Sequence, residues 1–136
     1  MDARRLDDCV PVELVPSGSH TSSAACSTAS GNWTDLSNLD GDVLIVVDVA
    51  SVTGTGTLSL QVSESAANTG ASPSNDPDPR GSLFTITAAG IYALAINARN
   101  AAARYLGIVG TLTGFTAAQF SAVAVTRANW NSGAAD

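Results

Sequence analysis

The sequence has no lysine and few charged residues of any kind. Charged residues make up 13% of its 136 positions, roughly half of the 25% that is usual, and all six basic residues are arginines. Twelve acidic residues give a formal net charge of −6. Because phosphate backbones repel an acidic surface, this composition argues against a nucleic-acid partner. A polar surface with little charge favours close packing against other proteins.

Long apolar runs are also absent. Val43–Val47, one of the longest, is far shorter than the ~20 residues of a membrane-spanning helix, so the sequence predicts no membrane role. Arg4 and Arg5 are not followed by an apolar segment, which predicts no signal peptide and a reducing compartment. The two cysteines, Cys9 and Cys26, could form a disulfide or remain two buried, reduced thiols. The sequence favours the reduced thiols.

The sequence contains no recognisable catalytic or metal-binding constellation. The single histidine, His20, has no nucleophile elbow near it, and we expect it to be a solvated turn residue. With Cys9 and Cys26 it lacks the spacing of zinc ligands. The acidic segment 75–78 could offer oxygen atoms to calcium, but proline interrupts it and no bidentate glutamate follows. The sequence thus predicts no enzyme and no metal or cofactor site.

Short apolar stretches with β-forming residues fill most of the chain. Val43–Val49 is β-branched and almost entirely apolar, so we expect a central strand that is covered on both faces. The glycine-rich segment 53–57 follows, and Leu58–Val62 then alternates between apolar and polar residues, which predicts a hairpin. Leu83–Ile86 and Ile91–Ile96 predict a second hairpin around the turn between them.

Two further strands are predicted at Arg104–Val109 and Phe120–Val125. About eight short strands with turns between them, and no helical period, predict an all-β fold. The expected architecture is an antiparallel, jelly-roll-like β-sandwich over residues 17–127, followed by a polar tail over residues 128–136.

Residues 1–16 are predicted to form an N-terminal arm or edge strand. Val10 and Val12 alternate with Pro11 and Glu13, and proline restricts a strand to a sheet edge because it lacks a backbone donor. Such an arm can add to a partner sheet, so its deletion is expected to weaken partner binding and leave the sandwich folded. The candidate partner-binding residues are Arg4, Arg5, Val10, Val12 and Trp130.

Three stretches follow one another in a recognisable order: GTGTLSLQVSES at 54–65, FTITAAGIYAL at 84–94 and ARYLGIV at 103–109. This succession, within residues 40–127, resembles small β-sandwich structural proteins of tailed bacteriophages. The resemblance implies a capsid decoration or cement protein of the virion. Such a protein is made in the host cytoplasm, forms homotrimers, and binds the major capsid protein on the capsid exterior.

Two other functions remain open. A carbohydrate-binding module on the virion surface would need an exposed aromatic side chain among polar residues. Trp33, which has Asn32 and Asp35 near it, and Trp130 are the candidates, although Trp33 is expected to pack in the core. A head–tail connector or tail component of the same virion is the other alternative.

Overall fold

Antiparallel strands joined in one hydrogen-bonded sheet make up most of the protein. The structure is a computed structural model and describes residues 9–38, 42–74, 83–97 and 103–127. Within those ranges the strands are β1 (Cys9–His20), β2 (Thr34–Asp35), β3 (Asp42–Ser65), β4 (Leu83–Ile86), β5 (Gly90–Asn97) and β6 (Tyr105–Arg127). Short 3₁₀ turns lie at Ala24–Cys26 and Leu36–Asn38. The predicted all-β, antiparallel class is confirmed, and the same ranges contain no helix with the length and apolar character to cross a membrane.

Two long strands, β3 and β6, form the centre of the sheet. They pair from Leu44, opposite Val125, to Ser65, opposite Tyr105. The start of β3 pairs with β5, and the end of β6 pairs with β1. The order across this part of the sheet is therefore β5, β3, β6, β1. We call these four strands the first half. The second half consists of the end of β3 and the start of β6, flanked by β4 and β2.

The two halves meet at a bend that glycines make possible. The pairing of β3 with β6 shifts register three times between Val49 and Thr57. Gly54 on β3 and Gly114 on β6 lie there with φ of 94° and 82°, a region that residues with a Cβ rarely adopt. The buried positions of β3 change from odd to even numbers across the bend. The register shifts therefore keep the apolar side chains of β3 on one face of the sheet, and such bulges bend the strand that carries them.

Both predicted hairpins are wrong. The stretches Val43–Val49 and Leu58–Val62 belong to the single strand β3 and pair with β6, not with each other. Similarly, β4 and β5 lie end to end along β3, and no ladder joins them. The reason is non-local, because the 23 residues of β6 offer a continuous partner along which β3 can bend. The described residues therefore form six strands instead of about eight.

The inner face of the sheet carries a single hydrophobic core to which both halves contribute. Its members with no more than 2% exposure in the two central strands are Val43, Ile45, Val47, Val49, Leu58, Leu60, Val62, Leu106, Ile108, Ala118, Phe120, Ala122 and Ala124. Val46, between Ile45 and Val47, is only half-buried. The prediction that Val43–Val49 is covered on both faces is therefore wrong, because only one face meets the core.

Residues 9–16 belong to the sheet itself. Within β1, Leu14 and Val15 are buried in the core at 2% and 0% exposure, and the strand pairs with β6 from Cys9 to His20. Deleting residues 1–16 would remove both core side chains. The expectation that this deletion leaves the domain folded is therefore wrong, whereas the edge position predicted for this strand is confirmed.

The segment after β1 closes the open edge of β6 with hydroxyl groups. The backbone N–H groups of Ile108, Gly110 and Leu112 donate to the side-chain oxygens of Thr28, Ser27 and Ser23, respectively, at 2.8, 2.9 and 3.0 Å. These side chains replace a neighbouring strand and satisfy donors that would otherwise be unpaired.

The cysteine side chains differ in environment. Cys26 lies in the core, where burial raises the pKa of its thiol, and Cys9 is exposed on β1. No Cys9–Cys26 disulfide is formed.

Candidate protein-binding face

The outer surface of the first half presents three rows of side chains across its strands. Residues that lie directly opposite each other in an antiparallel pair project from the same face, so the pairing defines these rows. The rows are Ala95, Leu44, Val125 and Pro11; then Ala93, Val46, Val123 and Glu13; then Ile91, Asp48 and Ser121. We call the eight apolar members of these rows the outer apolar face.

The side chains of this face are accessible. Ile91 is 75% exposed and Leu44 41%, Ala93 and Ala95 are exposed, and Val46 is half-buried between its neighbours. Isolated exposed apolar residues are ordinary on protein surfaces, whereas a contiguous group is typical of an interaction site.

The outer surface of the second half has different chemistry, although the same two central strands form it. Its rows contain Thr85, Ser59 and Thr111, and then Leu83, Gln61 and Val109. The apolar outer surface of the first half is therefore not a general property of β3 and β6. It is specific to the part of the sheet that β1 and β5 flank.

The charges in the three described rows of the outer surface have one sign. Glu13 and Asp48 are the ionisable side chains in its three rows, and both are exposed. A partner that packs against this surface would therefore be apolar at its centre and would carry arginine or lysine opposite these two carboxylates.

The dimensions of this surface limit what one copy can bind. Four strands at ~4.8 Å spacing and three rows at ~6.8 Å spacing cover roughly 400 Å². A patch of that area is comparable to the largest on many monomers, but it is about half of the ~800 Å² that each partner contributes to a stable interface.

The structure places the predicted partner-binding residues differently from the prediction. Val10 and Val12 lie opposite Thr126 and Ala124 on the inner face. Val12 packs against the core and Val10 is 41% exposed at its margin. Their neighbours Pro11 and Glu13 are the β1 side chains that project outward. Arg4, Arg5 and Trp130 lie outside the described residues, as does the segment 75–78 considered for calcium.

A cavity of about 500 Å³ lies between β1 and the segment that leads into β2. It is lined by Val12, Glu13, Leu14, Pro16, Ala29, Asn32, Trp33 and Thr34. Trp33 is only 7% exposed. Its ring lies against Gly107 and Gly70, where any Cβ would collide with it. Trp33 is therefore buried, but against these glycines and outside the core cluster, and it is too covered to stack on a sugar.

Asp35, the carboxylate considered with Trp33, is held by a neighbouring arginine. Arg104 donates from Nε and Nη2 to Oδ2 of Asp35 at 3.1 and 2.7 Å. The Arg104 hydrogen bonds, together with those from Ser37, hold the pKa of Asp35 well below its usual range. This pair connects β2 to the start of β6.

The Asp35–Arg104 pair makes the free energy of unfolding depend on pH. Because folding lowers the pKa of Asp35, its contribution is present above the unfolded value of about 4 and is lost as the pH falls further. We expect Asp35→Asn to lower the melting temperature slightly at neutral pH, since exposed ion pairs contribute little. The difference from wild type should shrink in melting curves recorded at about pH 3 and below. An equal difference at every pH would contradict this linkage.

His20 differs from the solvated turn residue that the sequence predicts. It ends β1, is 7% exposed, and its ring lies 4.4 Å from that of Phe120. Nε2 lies 3.1 Å from the carbonyl oxygen of Pro16 and 3.2 Å from that of Phe120, so this nitrogen carries the proton, because carbonyls only accept. Through these contacts His20 connects β1 to β6. Among the described residues no cluster of three histidine, cysteine or acidic side chains could hold a metal ion.

Comparisons of the chain with models of protein families, with curated proteins and with solved structures find no match in any of the three.

Proposed function

We propose that this chain is a structural protein of a virion, a capsid decoration or cement protein, that packs its outer apolar face against the major capsid protein. The observation that carries the proposal is the outer apolar face, which lies beside the carboxylates of Glu13 and Asp48. The outer surface of the second half of the same sheet is instead rich in hydroxyl groups. The low charge of the whole sequence supports a packing role in the same way. The sequence resemblance to phage structural proteins supports the choice of partner.

The proposed fold is a sandwich of the jelly-roll kind, in which the two halves of the bent sheet face each other. A single core cluster with members from both halves supports this arrangement. One face of each half is then used for folding, and the outer face of the first half remains available for a partner.

Bracing a shell follows from binding linkage. A protein that binds across neighbouring capsid subunits stabilises the assembled state, because separating the subunits also breaks its contacts. The stabilisation depends on the bound fraction and on contacts that are lost together, so a contiguous row of side chains on one sheet surface is a suitable element for this task.

A charge placed on the outer apolar face is expected to weaken this binding strongly. In Leu44→Glu, an exposed apolar side chain is replaced by a carboxylate that the contact would desolvate. We expect roughly 30-fold weaker binding, which corresponds to about 2 kcal/mol. Thr111→Glu is the matched control, because Thr111 lies on the polar outer half of the same sheet. Both variants should melt like the wild-type protein.

The binding test uses purified protein and empty heads of a phage. The heads are assembled from the major capsid protein encoded nearest to this chain's gene, and co-sedimentation measures the bound stoichiometry. We expect saturable binding in fixed ratio to capsid subunits, lost in Leu44→Glu and retained in Thr111→Glu. If the wild-type protein does not co-sediment at micromolar concentration, or if both variants bind equally well, the proposal is wrong. A glycan array run in parallel would identify a sugar ligand instead.

A further inference from the structure

Among the described residues, four strands of the sheet have an open edge, and three of these strands carry features that discourage pairing with another chain. β1 contains Pro11, Pro16 and the charge of Glu13, and its register shifts twice. β4 has four residues and β2 has two. Proline, charge, irregular register and short length are the usual protections of an open edge.

The fourth open edge, β5, has none of these protections. Its eight residues, GIYALAIN, contain no proline and no charge, and they pair with β3 without a register shift. From Gly90 to Ile96, β3 is the only strand partner in the part of the chain that the structure describes. An unprotected edge of this length is a template for strand addition.

We propose that β5 pairs with β5 of a second copy of this chain, antiparallel and about a two-fold axis, so that one sheet continues through both copies; this dimer replaces the homotrimer that the resemblance implies. A two-fold contact must be complementary to itself. β5 satisfies this condition. With Ala93 at the two-fold axis, Ala93 would meet its counterpart and Ile91 would meet Ala95 of the second copy on the outer face, and Tyr92 would meet Leu94 on the inner face. Alanine at two outer positions leaves room for close approach.

Charge favours this edge over other contacts between two copies. The chain carries a net charge of −6, so most self-contacts would bring carboxylates together. In the proposed pair, the β3 carboxylates on the outer face, Asp42 and Asp48, are separated from those of the second copy by three strand spacings. That is about 14 Å and exceeds the Debye length of ~8 Å at physiological salt. Stacking two outer faces would instead bury Glu13 and Asp48 against an equally acidic surface.

Pairing at this edge also enlarges the binding surface. Because the two-fold axis is perpendicular to the sheet, both outer apolar faces point the same way and become adjacent. Two patches of roughly 400 Å² then form one of about 800 Å², the area that one partner contributes to a stable interface. This consequence rests on the proposed function, whereas the dimer itself does not.

The test measures the mass of the full chain by sedimentation velocity over a range of concentrations. We expect a concentration-dependent dimer. Ala93→Glu places like charges across the two-fold axis and should raise the dissociation constant at least about tenfold. Ala93→Lys should do the same, and mixing the two variants should restore a dimer that contains one copy of each. Thr85→Glu, with the same charge on the short edge strand β4, is the matched control and should dimerise like wild type.

Leu44→Glu separates this proposal from the proposed function. Leu44 lies one strand inward from the edge, so this variant should remain dimeric while it fails to bind capsid heads. A monomer at every concentration, a trimer, a dimer that Ala93→Glu leaves intact, or a dimer that Leu44→Glu disrupts would each overturn edge pairing through β5.

Discussion

Val47→Asp is expected to unfold the domain, whereas Val46→Asp, one residue away on the same strand, is expected to leave it folded. Val47 is fully buried and lies between Tyr92 and Ala122 on the inner face. An unpaired carboxylate there would lose its hydration among apolar side chains and find no partner, which costs several kcal/mol. That loss is comparable to the ~5–15 kcal/mol by which a whole domain is stable.

Val46 is a matched control because it has the same side chain and the same strand neighbours but the opposite face. It lies between Ala93 and Val123 on the outer surface, where an aspartate remains in contact with water. We expect a loss of about 1 kcal/mol from poorer strand propensity and packing. Circular dichroism during urea unfolding would measure both variants. Comparable stability of the two variants would show that the inner and outer faces are assigned incorrectly.

The behaviour of Val46 shows why the outer apolar face is hard to predict. Val43–Val49 is apolar at almost every position, and this pattern is typical of a strand covered on both faces. The sequence cannot distinguish a second buried face from one kept for a partner. One signal was available in β6, where small Ala122 and Ala124 alternate with the larger Val123 and Val125. The structure puts the alanines in the core and the valines outside.

The fold class was predictable and the connectivity was not. β-Branched residues and two-residue alternation depend on local chemistry, so they indicate the all-β class and the main strand-forming stretches, although not the strand bounds. The segment Thr53–Thr57 is compatible with both a reversal and a bulged bend, because its glycines permit either. Phe115, the β6 residue that lies opposite Gly54, is about 60 positions away along the sequence. The residues of the turn itself do not reveal a contact with a residue so far away in the sequence.

Gly56→Ala is expected to be the most damaging single-methyl substitution at the bend. A Cβ at Gly56 would overlap the carbonyl oxygen of Thr113 and lie 2.6 Å from the backbone nitrogen of Phe115. All of the nearest atoms belong to the backbone of β6, so a side-chain rotation cannot relieve the collision, and β3 and β6 must separate. We expect a loss of about 3 kcal/mol, at the upper end for overpacking, and a melting temperature lower by roughly 10 °C.

Two neighbouring substitutions distinguish this collision from other effects of changing the bend. At Gly54, φ is 94° but an added Cβ would be 3.6 Å from its nearest neighbour, so Gly54→Ala incurs only backbone strain and should be less damaging. The side chain of Thr55 is exposed, so Thr55→Ala should melt like wild type. The order expected in calorimetry is therefore Gly56→Ala least stable, then Gly54→Ala, then Thr55→Ala. A wild-type melting temperature for Gly56→Ala would mean that β3 and β6 are not in close contact at the bend, and the single core shared by the two halves of the sheet would then lack its structural basis.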